Sequence, residues 1–249
     1  MQRKQFRRLF PTYVISLERT PDRLQRFIDM NRDADIDIEV FKAFDGRGLD
    51  IAGVDPAVLI PGTTSYRMGS IGSAISHRTL WQACAAGDKP FLIFEDDAAI
   101  RADTRDVLPD LVGALGKSWD LLILGCNTDF ISEVALADDL HLRFGFTVER
   151  PDAAQLKKFT TGRHRVGIVR LIHFFGLCGY LLSPSGAQSL LRQCFPLDSR
   201  AVHFSGRKES VRAYTLDTRI NAHLRFVNAF ACLPPLVMPD NTPAHSAKA

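Results

Sequence analysis

Short apolar runs alternate along the chain with polar stretches rich in turn-forming residues. Tyr13-Val14-Ile15-Ser16-Leu17 is apolar almost throughout and carries β-branched residues, which predicts a strand covered on both faces. Thr20 and Pro21 follow as an N-cap and a first helical residue, and Leu24, Phe27 and Ile28 supply the apolar stripe of that helix. Ile38 to Phe44 reads as a second strand, closed by a turn at Asp45-Gly46. Residues 47 to 68 have no period, and with Pro56, Pro61 and three glycines they read as a loop of the kind that borders functional sites. Ile71, Ala74, Ile75, Trp81, Cys84 and Ala85 recur at helical spacing, and Gly87 ends that helix. Phe91-Leu92-Ile93-Phe94 and Leu121-Leu122-Ile123-Leu124 are continuous apolar runs of strand length. Residues 126 to 170 are polar and give no clear assignment. Phe174 to Leu182 reads as a strand, Pro184 to Cys194 as a helix capped by Ser183, and residues 226 to 238 as a last strand.

Buried strands alternating with helices predict an α/β fold, a mostly parallel sheet with helices on both faces. The 249 residues fit one domain, with residues 240 to 249 as a disordered tail. In such sheets ligands bind beyond the carboxyl ends of the strands.

Composition narrows the function classes. Hydrophobic residues make up 46% and charged residues 24%, as in ordinary globular proteins, and a net charge of +3 without basic-aromatic interleaving argues against nucleic acid. No apolar run approaches the roughly 18 residues of a membrane span. Arg3, Lys4, Arg7 and Arg8 form a short basic cluster, read either as a solvated terminus or as a contact with anionic lipid. The expected location is therefore cytoplasmic, with peripheral membrane contact through that cluster. The five cysteines are odd in number and lack CxxC spacing, which points to a reducing compartment rather than to disulfides or structural zinc.

The chemistry concentrates at Glu95-Asp96-Asp97, directly after the Phe91 run. Adjacent carboxylates repel one another and need positive charge. If the chain stays extended, Glu95 and Asp97 point to one side, an alternation suited to a hard cation such as Mg²⁺ or Mn²⁺ completed by phosphate oxygens and water. A solvated acidic turn is the plain alternative. His77 and Trp81 on a helix, and Trp119, are more often packed residues than ligands. Lys157, Lys158, Arg163, His164 and Arg165 read as a solvated loop or as a contact for an anionic acceptor.

Six segments in order, VISLERTPDRLQRF (14 to 27), FKAFDGR (41 to 47), GSIGSAISHRTLW (69 to 81), FLIFEDDA (91 to 98), DLLILG (120 to 125) and GYLLSPSGAQSLL (179 to 191), resemble glycosyltransferase family 25, the lipopolysaccharide and collagen-type glycosyltransferases. The resemblance implies a GT-A-like nucleotide-diphosphosugar fold, a UDP-hexose donor and inversion at the anomeric carbon. It implies that Glu95 and Asp97 bind the metal, and that Asp96 lies near the donor. It places Ser16, Leu17, Arg23, Asp45, Ser76 and His77 around the nucleotide sugar, and lets a glycan or glycolipid serve as acceptor. The match of Leu216-Asp217 to a late family element makes Asp217 the candidate base, with Asp198 and His77 behind it. Leu177-Cys178 before Gly179, and Ser73 to Ile75 before Ser76-His77, depart from the family pattern. Two rival readings use the same triplet: a metal-dependent phosphohydrolase, and a non-catalytic domain that binds a sugar nucleotide.

Overall fold

The computed structural model describes residues 1–63, 65–204 and 210–241. The chain runs α1 (Arg3–Leu9), β1 (Thr12–Ser16), α2 (Pro21–Met30), β2 (Glu39–Lys42), α3 (Met68–Ala86), β3 (Phe91–Glu95), β4 (Ala98–Ile100), α4 (Thr104–Leu115) and β5 (Leu121–Gly125). It continues through β6 (Ser132–Ala137), β7 (Leu140–Phe144), α5 (Ala153–Thr161), β8 (Gly167–His173), β9 (Gly179–Leu182) and α6 (Pro184–Cys194). Last come β10 (Ala201–Val202), β11 (Val211–Arg212), α7 (Leu216–Asn221), β12 (Ala229–Leu233) and β13 (Val237–Pro239).

Nine strands form one sheet in the order β2-β1-β3-β9-β5-β12-β8-β6-β7. β1 pairs in parallel with β2 and β3, and β12 with β5, while β9 runs antiparallel between β3 and β5. Six strands share one direction, and β7, β8 and β9 oppose them. The sheet is thus mixed, with a prevailing direction, in an α/β architecture.

The alternation of strand side chains sorts the core into two layers. Phe91, Ile93, Leu121, Ile123, Tyr180 and Leu182 pack on one face with residues of α3, α6 and α7. Leu92, Phe94, Leu122, Leu124 and Leu181 pack on the other with Phe6, Phe27 and Leu108. Continuous apolar runs follow from this arrangement, because both faces are covered.

Local signals fared unequally. Ser183 accepts from the Gly186 amide at 3.0 Å, as an N-cap should. Thr20 precedes α2 as expected, but its hydroxyl donates to the Leu17 carbonyl at 3.2 Å instead of capping. The strand expected from Phe174 begins only at Gly179. Gly176 interrupts it in the left-handed region, at φ 85°, and its amide donates to Asp217. The unassigned stretch holds the β6–β7 hairpin and α5, whose start carries an Asp152–Gln155 capping box. Asp152-x-x-Gln155 is the sequence signal for that helix start.

Arg3 of α1 pairs with Asp35, and Arg7 pairs with Asp37 and Glu39. Two of the four basic side chains considered for lipid contact are therefore engaged within the chain. No helix among the described residues is long and apolar enough to cross a membrane. Of the expected tail, Asp240 and Asn241 are packed: the Asp240 amide donates to the Asp97 carbonyl at 2.7 Å, and Asn241 donates to Thr128 at 3.1 Å. The rest of the tail lies outside the described residues.

Candidate active site at the carboxyl end of the third strand

A cavity of about 570 Å³ opens where β1 and β3 end, of the size that holds a nucleotide-scale ligand. Ile15 and Leu17 line it from the end of β1, Asp45 to Arg47 from the loop after β2, and Met68 to Ser70 from the start of α3. Glu95, Asp96 and Asp97 contribute the acidic part. Phe175, Gly176, Tyr214 and Asp217 complete another part of the lining.

The approach of the β2 loop to α3 depends on two glycines. A Cβ on Gly72 would fall 2.5 Å from the Phe44 carbonyl oxygen, and one on Gly46 would fall 1.9 Å from that of Met68. Ser76 sews the same contact, accepting from the Phe44 amide at 2.8 Å. Asp45 caps the next turn through the Arg47 amide, and with Arg19 at 2.8 Å this holds its carboxyl below the usual value.

The three consecutive carboxylates meet different environments. β3 places Glu95 on the same face as Phe91 and Ile93, toward α3, and the chain turns at Asp96. Asp96 meets α2: Arg23 donates to it through Nε at 2.9 Å and a terminal nitrogen at 2.5 Å, and Ser16 adds a bond at 2.8 Å. Arg23 also reaches Asp97 at 3.4 Å. Burial works against the Arg23 charge, but the Asp96 hydrogen bond and the three neighbouring carboxylates outweigh it and raise its pKa. Asp96 keeps 9% of its side chain exposed, against 24% for Asp97 and 33% for Glu95.

That division bears on a cation. Among the described residues no group of three His, Cys, Asp or Glu side chains is arranged to hold a metal. Asp96 is held by Arg23 and Ser16, while Glu95 and Asp97 line the cavity and are the more exposed of the three. Two carboxylates completed by substrate phosphates and water suit Mg²⁺ and, by the same oxygen chemistry, Mn²⁺. The residues present therefore fit a cation bound together with a phosphorylated substrate, and do not form a closed protein cage.

Of the residues singled out in the sequence, Leu17, Arg23, Asp45, Ser76, Glu95, Asp96, Asp97 and Asp217 line the cavity. Ser16 lies one step behind, bonded to Asp96. His77 does not reach the cavity: it is fully buried, with Nε2 3.3 Å from Glu95. It lies on the core side of α3, one residue along from the cavity-lining Ser76. Asp198 is likewise away from the cavity, paired with buried Arg219 at 2.8 Å and with Arg200 at 2.6 Å. Asp217 accepts from the Gly176 amide at 2.7 Å, the Thr218 amide at 2.9 Å and the Thr215 hydroxyl, so its carboxylate is firmly oriented. Sequence reasoning missed Arg19, Arg47, Phe130, Tyr214, Asp240 and Asn241 in the lining. Only Arg19 and Arg47 lay within quoted motifs. The others come from segments with no period to mark them.

The fold and site define an α/β protein with a carboxylate-bearing ligand cleft at its strand ends. Comparison with known proteins then fixes the family: the model of glycosyltransferase family 25 (LPS biosynthesis protein) matches residues 10–201, and the chain belongs to that family. Over 128 residues it is 34% identical to human "Inactive glycosyltransferase 25 family member 3", covering 45% of this chain and 21% of that protein. It is 32% identical over 126 residues to "Glycosyltransferase 25 family member" of Aedes aegypti, covering 45% of this chain and 20% of that one. It is 23% identical over 192 residues to "Procollagen galactosyltransferase 1" of Danio rerio, covering 72% and 28%. The matched part spans between a fifth and a third of these three relatives.

Proposed function

We propose that the chain transfers a hexose, galactose or glucose, from a UDP-sugar to a glycan acceptor such as lipopolysaccharide or another surface glycan, with inversion. The reading places it in a GT-A-like fold acting in the cytoplasm or at the inner face of a membrane. The observation that carries it is that Glu95 and Asp97, partly exposed, line a cavity of about 570 Å³ beside the Arg23–Asp96 clamp.

In this reading the nucleotide lies along the end of β1 and the Asp45–Ser76 corner. Glu95 and Asp97 hold Mn²⁺ or Mg²⁺, which neutralises the leaving diphosphate. Arg23 holds Asp96 in place, so the turn keeps its shape when substrate arrives. Asp217, oriented by Gly176 and Thr218, accepts the proton of the acceptor hydroxyl as that oxygen bonds to the anomeric carbon and the bond to the diphosphate breaks. Replacing Asp217 with Asn lowers kcat about a hundredfold or more while nucleotide binding persists.

The test is a thermal-shift series with UDP, GDP, CMP and UDP-hexoses, each with and without Mn²⁺, followed by transfer assays on glycan acceptors. A midpoint rise confined to uridine nucleotides and strengthened by Mn²⁺ is expected. No response to any uridine diphosphate overturns the reading. The name of the human relative favours one second reading, a non-catalytic sugar-nucleotide-binding domain. It predicts the same shifts with neither transfer nor hydrolysis, whereas a phosphohydrolase would hydrolyse the UDP-sugar without an acceptor.

A further inference from the structure

Behind the acidic turn, outside the cavity, runs a file of buried polar groups that the proposed reaction does not use. Trp81 Nε1 donates to the Tyr180 hydroxyl at 2.8 Å. The same hydroxyl lies 2.8 Å from His77 Nδ1, and His77 Nε2 lies 3.3 Å from a Glu95 carboxylate oxygen. Trp81, Tyr180 and His77 are each 0% exposed.

The backbone explains why they meet. His77 and Trp81 are four residues apart on α3, one above the other on its core face. Tyr180 on β9 is in register with Ile93 on β3, two residues before Glu95 and therefore on the same face of the sheet.

The donor inventory sets the direction of the chain. An indole N–H only donates, so the Tyr180 oxygen accepts from Trp81. Burial raises the Tyr180 pKa well above its ordinary value, so the hydroxyl keeps its proton. That proton is donated to His77 Nδ1, which must then be the unprotonated nitrogen. The remaining ring proton resides on Nε2 and faces Glu95.

We infer that Trp81 and Tyr180 lock His77 in the Nε2–H tautomer and so make it a positioning residue, which holds the Glu95 carboxylate in one orientation at the cavity. Outer-shell bonds of this kind orient ligating groups and hold them against rotation. The inference concerns the protein's own hydrogen bonds and stands whether or not a cation binds.

Nitrogen NMR on histidine-labelled protein at neutral pH decides it, with His77→Gln used to assign the ring among the seven histidines. The expected spectrum shows a protonated Nε2 and an unprotonated Nδ1. Glu95→Gln moves the Nε2 signal, and Tyr180→Phe, which removes the hydroxyl, moves Nδ1. An Nδ1–H tautomer, an imidazolium, or a ring indifferent to Tyr180→Phe overturns the inference. A second measurement reads the consequence by Mn²⁺ titration followed by electron spin resonance. His77→Leu weakens Mn²⁺ binding in the presence of UDP about tenfold, whereas His77→Gln, whose amide can accept and donate in the same directions, stays within about threefold. Equal losses in two folded variants overturn the positioning role. A wild-type protein that binds no Mn²⁺ sinks the metal reading under the proposed function, while the ring signature still decides the tautomer.

Discussion

Two acidic clusters in the same sheet have opposite characters. Glu133 on β6 is 1% exposed and fully enclosed. It accepts from Arg143 at 2.6 Å and from His141 at 3.0 Å, both on β7, and His173 of β8 lies 4.0 Å away. The Glu95–Asp97 triplet carries more negative charge and is less enclosed: Arg23 pairs with Asp96 and touches Asp97, His77 meets Glu95, and Asp97 and Glu95 keep 24% and 33% of their side chains exposed. A carboxylate ringed by basic side chains from neighbouring strands ties strands together. Carboxylates that keep part of their surface toward a cavity retain capacity for a ligand. What separates the two clusters is therefore how far each carboxylate is enclosed, not how acidic the segment is.

The sharpest way to break this contrast is Asp97→Ala. If the triplet serves a ligand, sugar transfer falls about a thousandfold while the thermal midpoint stays near that of the wild type, since the lost term is charge stabilisation in the reaction. Full transfer by the variant would remove the metal assignment. Arg23→Met probes the one tight pair inside the triplet. It leaves Asp96 buried and without its clamp and costs about 3 kcal/mol in denaturant unfolding. Adding Asp96→Asn restores part of that loss, and simple additivity of the two changes would show that the pair is not coupled. Glu133→Gln is the converse of Asp97→Ala. It costs about 2 kcal/mol, discounted because Arg143 and His141 are partly exposed, and lowers the midpoint by about 4–8 °C without changing nucleotide affinity. Weakened UDP binding in that variant would blur the distinction between the clusters. The smallest effect on the contrast is expected from Gly72→Ala. Its methyl would meet the Phe44 carbonyl and the Gly46 amide inside normal contact and force the β2 loop away, costing about 1–3 kcal/mol of stability, while its effect on function is read as a modest loss of nucleotide affinity.

The linear chain carried much of this protein in legible form. The runs at Tyr13–Leu17, Phe91–Phe94 and Leu121–Leu124 announced strands covered on both faces, because burial on two sides leaves no polar position to alternate with. Ser183 announced its helix, since a cap is a contact between near neighbours. The acidic triplet after β3 was visible as a charge excess at a strand end. Which carboxylate would be engaged was not visible: Arg23 reaches Asp96 across 73 positions, and β1 and β3 must first pair in parallel to bring them together. The family resemblance put His77 beside the donor, while its place on the helix read more often as a packed residue, and the structure buries it. Helical spacing tells which residues share a face, but not whether that face looks into the cavity or into the core. Asp240 and Asn241 belong to the cavity only because β13 pairs with β4 and returns the chain to Asp97. Period and capping are local properties of the covalent chain, whereas the partner of a charge is set by pairings between distant strands, and these follow from packing the whole sheet at once.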